Sequence, residues 1–280
     1  MKAIATAPAS SANLGPGFDV LAIAFELRCR AEAELADRWS ITEQGNTYEP
    51  DDDSLVVQAA AIAGARPLAI RIVNQIPRTR GLGSSAAVIT AVAAAALRAN
   101  GTEPQSEQLL EHVGDIEGHY DNAAAAVYGG CVVATAAAFH RLEVDPDLVF
   151  TAAIPEASLA TPKARRALPP QLDRAIVSRS LARVVFLIEG LRTGSAAAFA
   201  AAAGDELHES PRAELSPVTG ALMTAAYENG ALHAAWSGAG PSAIAISDRE
   251  TAGRVEAALT DVLRGQGAVA VLQVADAGWV

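Results

Sequence analysis

Apolar and polar positions alternate most sharply over residues 27–35. There Leu27, Cys29, Ala31, Ala33 and Leu35 share one face, and Arg28, Arg30, Glu32 and Glu34 share the other. A period of two predicts a half-solvated strand in an antiparallel sheet. The short apolar run 3–9 predicts an opening strand, and residues 39–43 a pairing partner for the alternating one. Between them, Ser10-Ser11-Ala12-Asn13-Leu14-Gly15-Pro16-Gly17-Phe18-Asp19 is broken by Pro and Gly and predicts an irregular loop. Residues 45–53 are polar and turn-rich, and 54–64 predict a helix capped by Asp52, Asp53 or Ser54. A strand over 68–73 leads to the stretch Gly81-Leu82-Gly83-Ser84-Ser85-Ala86-Ala87 and an apolar helix over 86–97. A helix over 105–117 follows Pro104. An alanine run then reaches Tyr128, and strands over 131–136, 141–144 and 148–154 close the first half.

Residues 155–170 carry four prolines and the cations Lys163, Arg165 and Arg166, which marks a boundary. Beyond it, helices are predicted over 172–191, 195–203, 217–228 and 249–264, and strands over 231–236, 242–247 and 268–274. The pattern therefore predicts two α+β domains, 1–154 and 155–280.

Composition narrows the partners. A net charge of −11 and a pI near 4.9 argue against nucleic acid or an anionic membrane as the main partner. Such a chain binds an anionic nucleotide only where local donors gather. Lys2 and Lys163 are its two lysines. Cys29 and Cys131 match no metal-ligand spacing and predict buried free thiols. Residues 1–10 lack the hydrophobic region of a signal peptide, and 86–97 is too short to span a bilayer, so a soluble cytoplasmic protein is expected.

The glycine-serine stretch is the first candidate for chemistry. Two glycines let backbone approach a ligand closely, and the helix after them begins with unpaired N–H groups. With two hydroxyls and the positive end of the helix dipole, these suit a phosphate. The same residues also suit a plain capped turn. No Walker A run exists, and the protein-kinase lysine strand and H-R-D loop are missing. The stretch satisfies G-x-G-x-x-A, but a helix follows where a dinucleotide fold needs a strand. It also loosely mimics a nucleophile elbow, without the final glycine or a placed histidine.

Two further loops in fixed order change the picture: residues 8–19, and Trp236-Ser237-Gly238-Ala239-Gly240-Pro241-Ser242. With residues 81–87 they resemble the three motifs of the small-molecule kinase superfamily of galactokinases, homoserine kinases, mevalonate kinases and phosphomevalonate kinases. Asn13-Leu14-Gly15-Pro16-Gly17-Phe18-Asp19 is most similar to the homoserine kinases. So are Glu117-Gly118-His119-Tyr120-Asp121-Asn122 before Gly129-Gly130, residues 161–165 with Leu168-Pro169, and Arg212 followed by Leu215 and Pro217. The resemblance covers nearly the whole chain. It implies an α+β two-domain small-molecule kinase fold, with a left-handed βαβ phosphate loop in the N-terminal domain and a ferredoxin-like C-terminal domain.

The resemblance also implies ATP and Mg²⁺, with L-homoserine as acceptor on the way to threonine, and it suggests a homodimer. ATP would meet Ser54, Arg80, Gly81, Leu82, Gly83, Ser84, Ser85 and Ala86, backed by the third loop, Ser237, Gly238, Ala239 and Gly240. Ser84 and Glu117 would be the metal ligands, both hard oxygen donors; taken singly, Glu117 is an exposed helix-end carboxylate. Asp19 would meet the ammonium of the zwitterion, and Arg165 and Arg212 its carboxylate. Asn13, His119, Asp121 and Asn122 would line the pocket; a structural histidine is the alternative for His119. The implied catalytic set is Asn122, Asp121 and Arg165. Asn122 stands where sibling kinases carry an aspartate base, and an amide cannot usefully accept that proton. Alignment is therefore expected to drive transfer, with the γ-phosphate taking the proton and Asp121 the fallback base. Ser54 replaces the usual asparagine near the adenine, and Pro217 lacks its following glycine. Another kinase of the superfamily, or a silent nucleotide-binding regulator, remains the alternative.

Overall fold

The computed structural model describes residues 2–51 and 53–280; Met1 and the expected cap Asp52 lie outside the described residues. The first sheet contains β1 (Ala3–Asn13), β2 (Gly17–Leu35), β3 (Ser40–Glu43), β4 (Asn46–Tyr48), β5 (Leu68–Asn74), β6 (Cys131–Ala134) and β7 (Phe139–Leu142). Its order is β4-β3-β5-β2-β6-β7, with β1 also on β2. Helices α1 (Leu55–Ala60), α2 (Ser84–Ala99), α3 (Ser106–Glu117) and α4 (Asp121–Tyr128) belong to this half. The expected alternation holds at Cys29, Ala31 and Ala33, which are buried, although Glu32 on the other face is buried too, against Lys2 and Arg30.

The second sheet contains β8 (Val149–Pro155), β9 (His233–Trp236), β10 (Ala243–Ser247) and β11 (Gly267–Leu272), in the order β11-β8-β10-β9 with every pair antiparallel. Its helices are α5 (Thr161–Arg166), α6 (Arg174–Thr193), α7 (Ala196–Ala202), α8 (Glu209–Arg212), α9 (Pro217–Glu228) and α10 (Ala252–Leu263). Helices separate β8 from β9, and α10 separates β10 from β11. That is the βαββαβ order of a ferredoxin-like unit, as expected.

Four expectations change. Residues 10–19 are not an irregular loop: β1 runs to Asn13 and β2 starts at Gly17, so the Pro and Gly close a tight reversal inside one long hairpin. The segment at 39–43 pairs in parallel with β5, not with β2, because β1 and β5 already occupy β2 over Cys29–Ala33; β4 was hidden in the turn-rich stretch. The apolar strand at 148–154 does not close the first half. It is β8, an inner strand of the second sheet, and the expected division at 154/155 cuts through it. Helices α5 and α8 were not anticipated, and the alanine run to Tyr128 is helix α4.

The end of the chain returns to the first sheet. Ala275 N–H donates to Ala24 O, and Thr6 and Val280 exchange backbone hydrogen bonds. Helix α2 is the inner element of the first half, with nearly every residue from Ala86 to Leu97 buried. Its run of alanines lets the helix lie close to β1 and β2 on one side and to other helices on the others. Among the described residues no helix is long and apolar enough to cross a membrane.

Close packing of this kind tolerates no added volume. Ala94→Leu is expected to cost about 1–3 kcal/mol, read as a lower urea midpoint at unchanged slope. A midpoint equal to wild type would contradict the close packing of α2.

Candidate functional site

The three motif loops meet. Gly83 adopts φ +62 at the N-terminus of α2, a left-handed conformation that suits glycine, and no side chain caps the helix there. The first amides of α2 therefore keep their N–H groups for another acceptor. Ser10 N–H donates to Leu82 O at 3.2 Å. Ser237 Oγ donates to Gly81 O at 2.7 Å and shares a 2.9 Å hydrogen bond with Ser11 Oγ, and Gly238 N–H donates to Ala12 O at 3.0 Å. A Cβ on Gly81 would lie 1.9 Å from Ser237 O, and one on Gly240 would strike the Trp236 ring at 2.5 Å. Backbone at Gly81 and an indole ring at Gly240 leave no room for a side chain at either position. Leu82 is buried below the loop, and Ala239 packs on Leu159, Ala164 and Trp236.

Asn13, expected in the acceptor pocket, bonds to two of the loops through its side chain. Nδ2 donates to Gly238 O at 3.0 Å and Oδ1 accepts from Asp19 N–H at 3.1 Å. Asn13, Leu14 and Asp19 all have positive φ. Such backbone costs about 1–3 kcal/mol per residue and persists only where its surroundings over-determine it.

A second corner forms where α3 ends and α4 begins. Gly118 turns the chain at φ +74. Asp121, almost fully buried, accepts from Asn122 N–H at 2.6 Å and pairs with His119 Nδ1 at 2.7 Å. His119 Nε2 lies 3.8 Å from Glu117, whose side chain is only 13% exposed, so Glu117 is not the solvated helix-end group of the alternative reading. Burial alone would lower the His119 pKa, but the hydrogen bond and charge of Asp121, joined by Glu117, raise it on balance. Ser10 Oγ donates to Asn122 Oδ1 at 2.8 Å, and a Cβ on Gly83 would clash with that Ser10 hydroxyl. The corner is thus linked through Ser10 to the glycine-serine loop.

The cations lie alongside. Arg165 grips Asp19 bidentately, at 2.8 and 3.0 Å, and this bond first, against the cost of burial, raises its pKa. Asp19 and Arg165, expected to hold opposite ends of a zwitterion, here hold each other, because adjacent opposite charges neutralise one another. Arg212 is buried; Nε donates to Ala164 O and Nη1 to His208 Nδ1 and Gly238 O. Burial, then repulsion from Arg165, pushes its pKa down to about 10, so it stays cationic at neutral pH. Both guanidinium carbons lie over the Phe18 ring, at 5.8 and 5.4 Å.

Arg80 is a correction. Its guanidinium donates to the carbonyls of Pro155 and Glu156, so it ties the glycine-serine loop to the end of β8 and does not offer a free cation. Ser54 sits at the N-terminus of α1 without a side-chain capping bond. It lines a cavity of about 290 Å³ with Tyr48, Leu55, Val56 and Val88, and Ser84 and Ser85 line the same cavity. Tyr48 and Leu55 are exposed apolar side chains there, a wall suited to a flat ring. A larger cleft, about 920 Å³ between Arg141, Phe150 and Asp276, holds none of the expected site residues, so volume does not mark the site.

For a metal, Ser84 Oγ and Glu117 offer hard oxygens, although Ser84 Oγ also accepts from Asn74 Nδ2 at 2.9 Å. Among the described residues no three His, Cys, Asp or Glu side chains gather to hold an ion. Such a sparse set fits Mg²⁺, which usually takes one or two protein oxygens plus phosphates and water.

Sequence reasoning missed the buried group on and before α8: Asp205, His208 and Glu209, beside Arg212. Their spacing of i, i+3, i+4 and i+7 was the available signal, one face of a helical turn. Glu209 Oε1 accepts from Trp236 N–H at 2.7 Å, and burial pushes its carboxyl up to about 8.

Comparison with known proteins gives matches to the GHMP kinases N terminal domain over residues 54–130 and to the GHMP kinases C terminal domain over residues 187–265. A homoserine kinase of Desulfitobacterium hafniense is 35% identical over 276 residues, covering 94% of this chain and 93% of the relative. One of Thermus thermophilus is 34% identical, covering 96% and 95%. The crystal structure of homoserine kinase from Cytophaga hutchinsonii superposes with a TM-score of 0.87 at 25% identity, over 100% of this chain and 96% of that one.

The raised Glu209 carboxyl predicts a pH effect. Its folded pKa near 8 lies above the ordinary 4.5, so its favourable contribution is complete below about 4.5 and is lost as pH rises through 8. Glu209→Gln keeps an acceptor for Trp236 and removes the titration. The melting temperature of the variant minus that of wild type is expected to grow between pH 5 and pH 8.5; a constant difference would show that Glu209 ionises normally.

Proposed function

The chain belongs to the GHMP kinases, among the homoserine kinases, and from that premise we propose that it transfers the γ-phosphate of ATP to the side-chain hydroxyl of L-homoserine, giving O-phospho-L-homoserine. The observation that carries this reading is the meeting of three motif loops with the His119–Asn122 corner and with two arginines on Phe18. In this reading the nucleotide base lies in the cavity beside Tyr48 and Ser54, and the phosphates lie on the amides that open α2.

The acceptor enters by exchange. Its ammonium takes the place of Arg165 at Asp19, and its carboxylate takes the place of Asp19 at Arg165, with Arg212 completing the grip. One ion pair is replaced by two, so the zwitterion is bound with its charges matched. A mevalonate-type acceptor has no ammonium and would leave Asp19 unmatched. Mg²⁺, held by Ser84 and Glu117, would supply positive charge against the phosphates.

This reading uses no side chain as the base. Asn122 is an amide. Asp121 Oδ1 already accepts from Asn122 N–H and meets His119, and the carboxylate is almost fully buried. The hydroxyl proton therefore goes to a γ-phosphate oxygen, and the protein contributes alignment and charge. A cytoplasmic location, where ATP is supplied, and a homodimer complete the proposal.

A coupled ADP-release assay with homoserine, serine, mevalonate and galactose is expected to show turnover preferentially with homoserine. Preference for another alcohol would move the chain to a sibling activity, and ATP binding without turnover would make it a regulator. Asp121→Asn is expected to slow transfer by less than about tenfold; a fall of about 10²–10⁴, the usual worth of a general base, would make Asp121 that base.

A further inference from the structure

We propose that His208, acting through Arg212, is a positioning residue that fixes which edge of this buried guanidinium meets the carboxylate of the acceptor. The inference rests on the acceptor reading given above. His208 is fully buried and bonded at both ring nitrogens. Nδ1 lies 3.0 Å from Arg212 Nη1, and Nε2 lies 2.8 Å from Gly15 O.

Hydrogen-bond chemistry then leaves one form of the ring. A guanidinium only donates, so Nδ1 must accept; a carbonyl only accepts, so Nε2 must carry the proton. A doubly protonated ring would set N–H against N–H. Burial acts in the same direction, lowering the His208 pKa.

The ring is itself held in place. Asp205 Oδ2 accepts from the backbone N–H groups of His208 and Glu209, at 2.6 and 2.8 Å, and Phe18 stacks on the imidazole at 5.1 Å. Arg212 spends Nη1 on His208 and Gly238 and Nε on Ala164, while Nη2 makes no hydrogen bond among the described residues. Nη2 is therefore the edge left for a ligand. Without an acceptor at Nδ1, the guanidinium can rotate and spread its donors over the carbonyls of Gly238 and Ala164. The same ring holds Gly15, in the turn that carries Asp19. One histidine thus couples the carboxylate grip to the ammonium grip.

Two substitutions divide the two bonds. The amide oxygen of His208→Asn falls where Nδ1 stood and can accept from Arg212, but it does not reach Gly15. The amide of His208→Gln reaches Gly15 but leaves Arg212 without its acceptor. Each variant is compared with L-homoserine and with 3-aminopropan-1-ol, which keeps the hydroxyl and ammonium but has no carboxylate. The ratio of kcat/KM for the two acceptors then isolates carboxylate recognition.

In His208→Gln this ratio is expected to fall about tenfold or more, through KM for homoserine, with KM for ATP unchanged. In His208→Asn it is expected to stay within about threefold of wild type. An unchanged ratio in His208→Gln, or an equal fall in both variants, overturns the proposal, because a packing role alone predicts no difference between them. Nitrogen-15 shifts of the wild-type histidines give a reading that needs no variant to fold: His208 is expected as the neutral Nε2–H form at pH 7, and a protonated or Nδ1–H ring overturns the assignment. If wild type does not phosphorylate homoserine, the acceptor reading fails while the tautomer still reports on the His208–Arg212 bond.

Discussion

The hydrogen bond from the Ser237 hydroxyl to Gly81 O is the contact on which the site depends. It joins a loop of the second sheet to the glycine-serine loop of the first half, and the same hydroxyl meets Ser11 of the long hairpin. Ser11 and Ser237 are buried and Gly81 is half-buried, where an unpaired polar group is costly. The halves of the chain are therefore held where their loops touch, and the site lies at that junction. Arg80, reaching from the glycine-serine loop to the end of β8, reinforces the same joint.

Strain is concentrated beside that contact. The turn after β1 puts Asn13 and Leu14 in left-handed conformations, and Asp19 follows a few residues later. A leucine does not adopt positive φ without compensation. Here the compensation includes the side-chain bonds of Asn13, the grip of His233 on Leu14 O at 2.9 Å and that of His208 on Gly15 O. Two buried histidines thus hold a backbone that presents one aspartate. The rigid, alanine-packed α2 beneath the glycine-serine loop gives the turn a fixed reference.

Electrostatics follow the same economy. The chain is acidic overall, yet Arg165 and Arg212 share the face of Phe18 at one point. Burial first, and repulsion from Arg165 second, lower the pKa of Arg212. Asp19 balances one, and His208 with the carbonyls of Ala164 and Gly238 holds the other. The concentrated positive charge suits a small carboxylate and is too local for a polyanion.

The sequence by itself determined the motif loops, most of the helices and the alternating strand, because glycine spacing, capping residues and periodicity are local properties. The family resemblance could be read from residues 13–19, 81–87 and 117–122, and the ferredoxin-like order of the second unit followed from it. The tertiary structure decided what depends on distant partners. It moved β8 into the second sheet and seated β3 on β5, since a strand's neighbours are set by which edges are free. It also showed Asn13 bonding two loops together and turned Arg80 from an expected ligand contact into a tie between segments. The buried group around His208 could be assigned only after folding, because its partners, Gly15 and Trp236, lie far away along the chain and no local pattern encodes such a meeting.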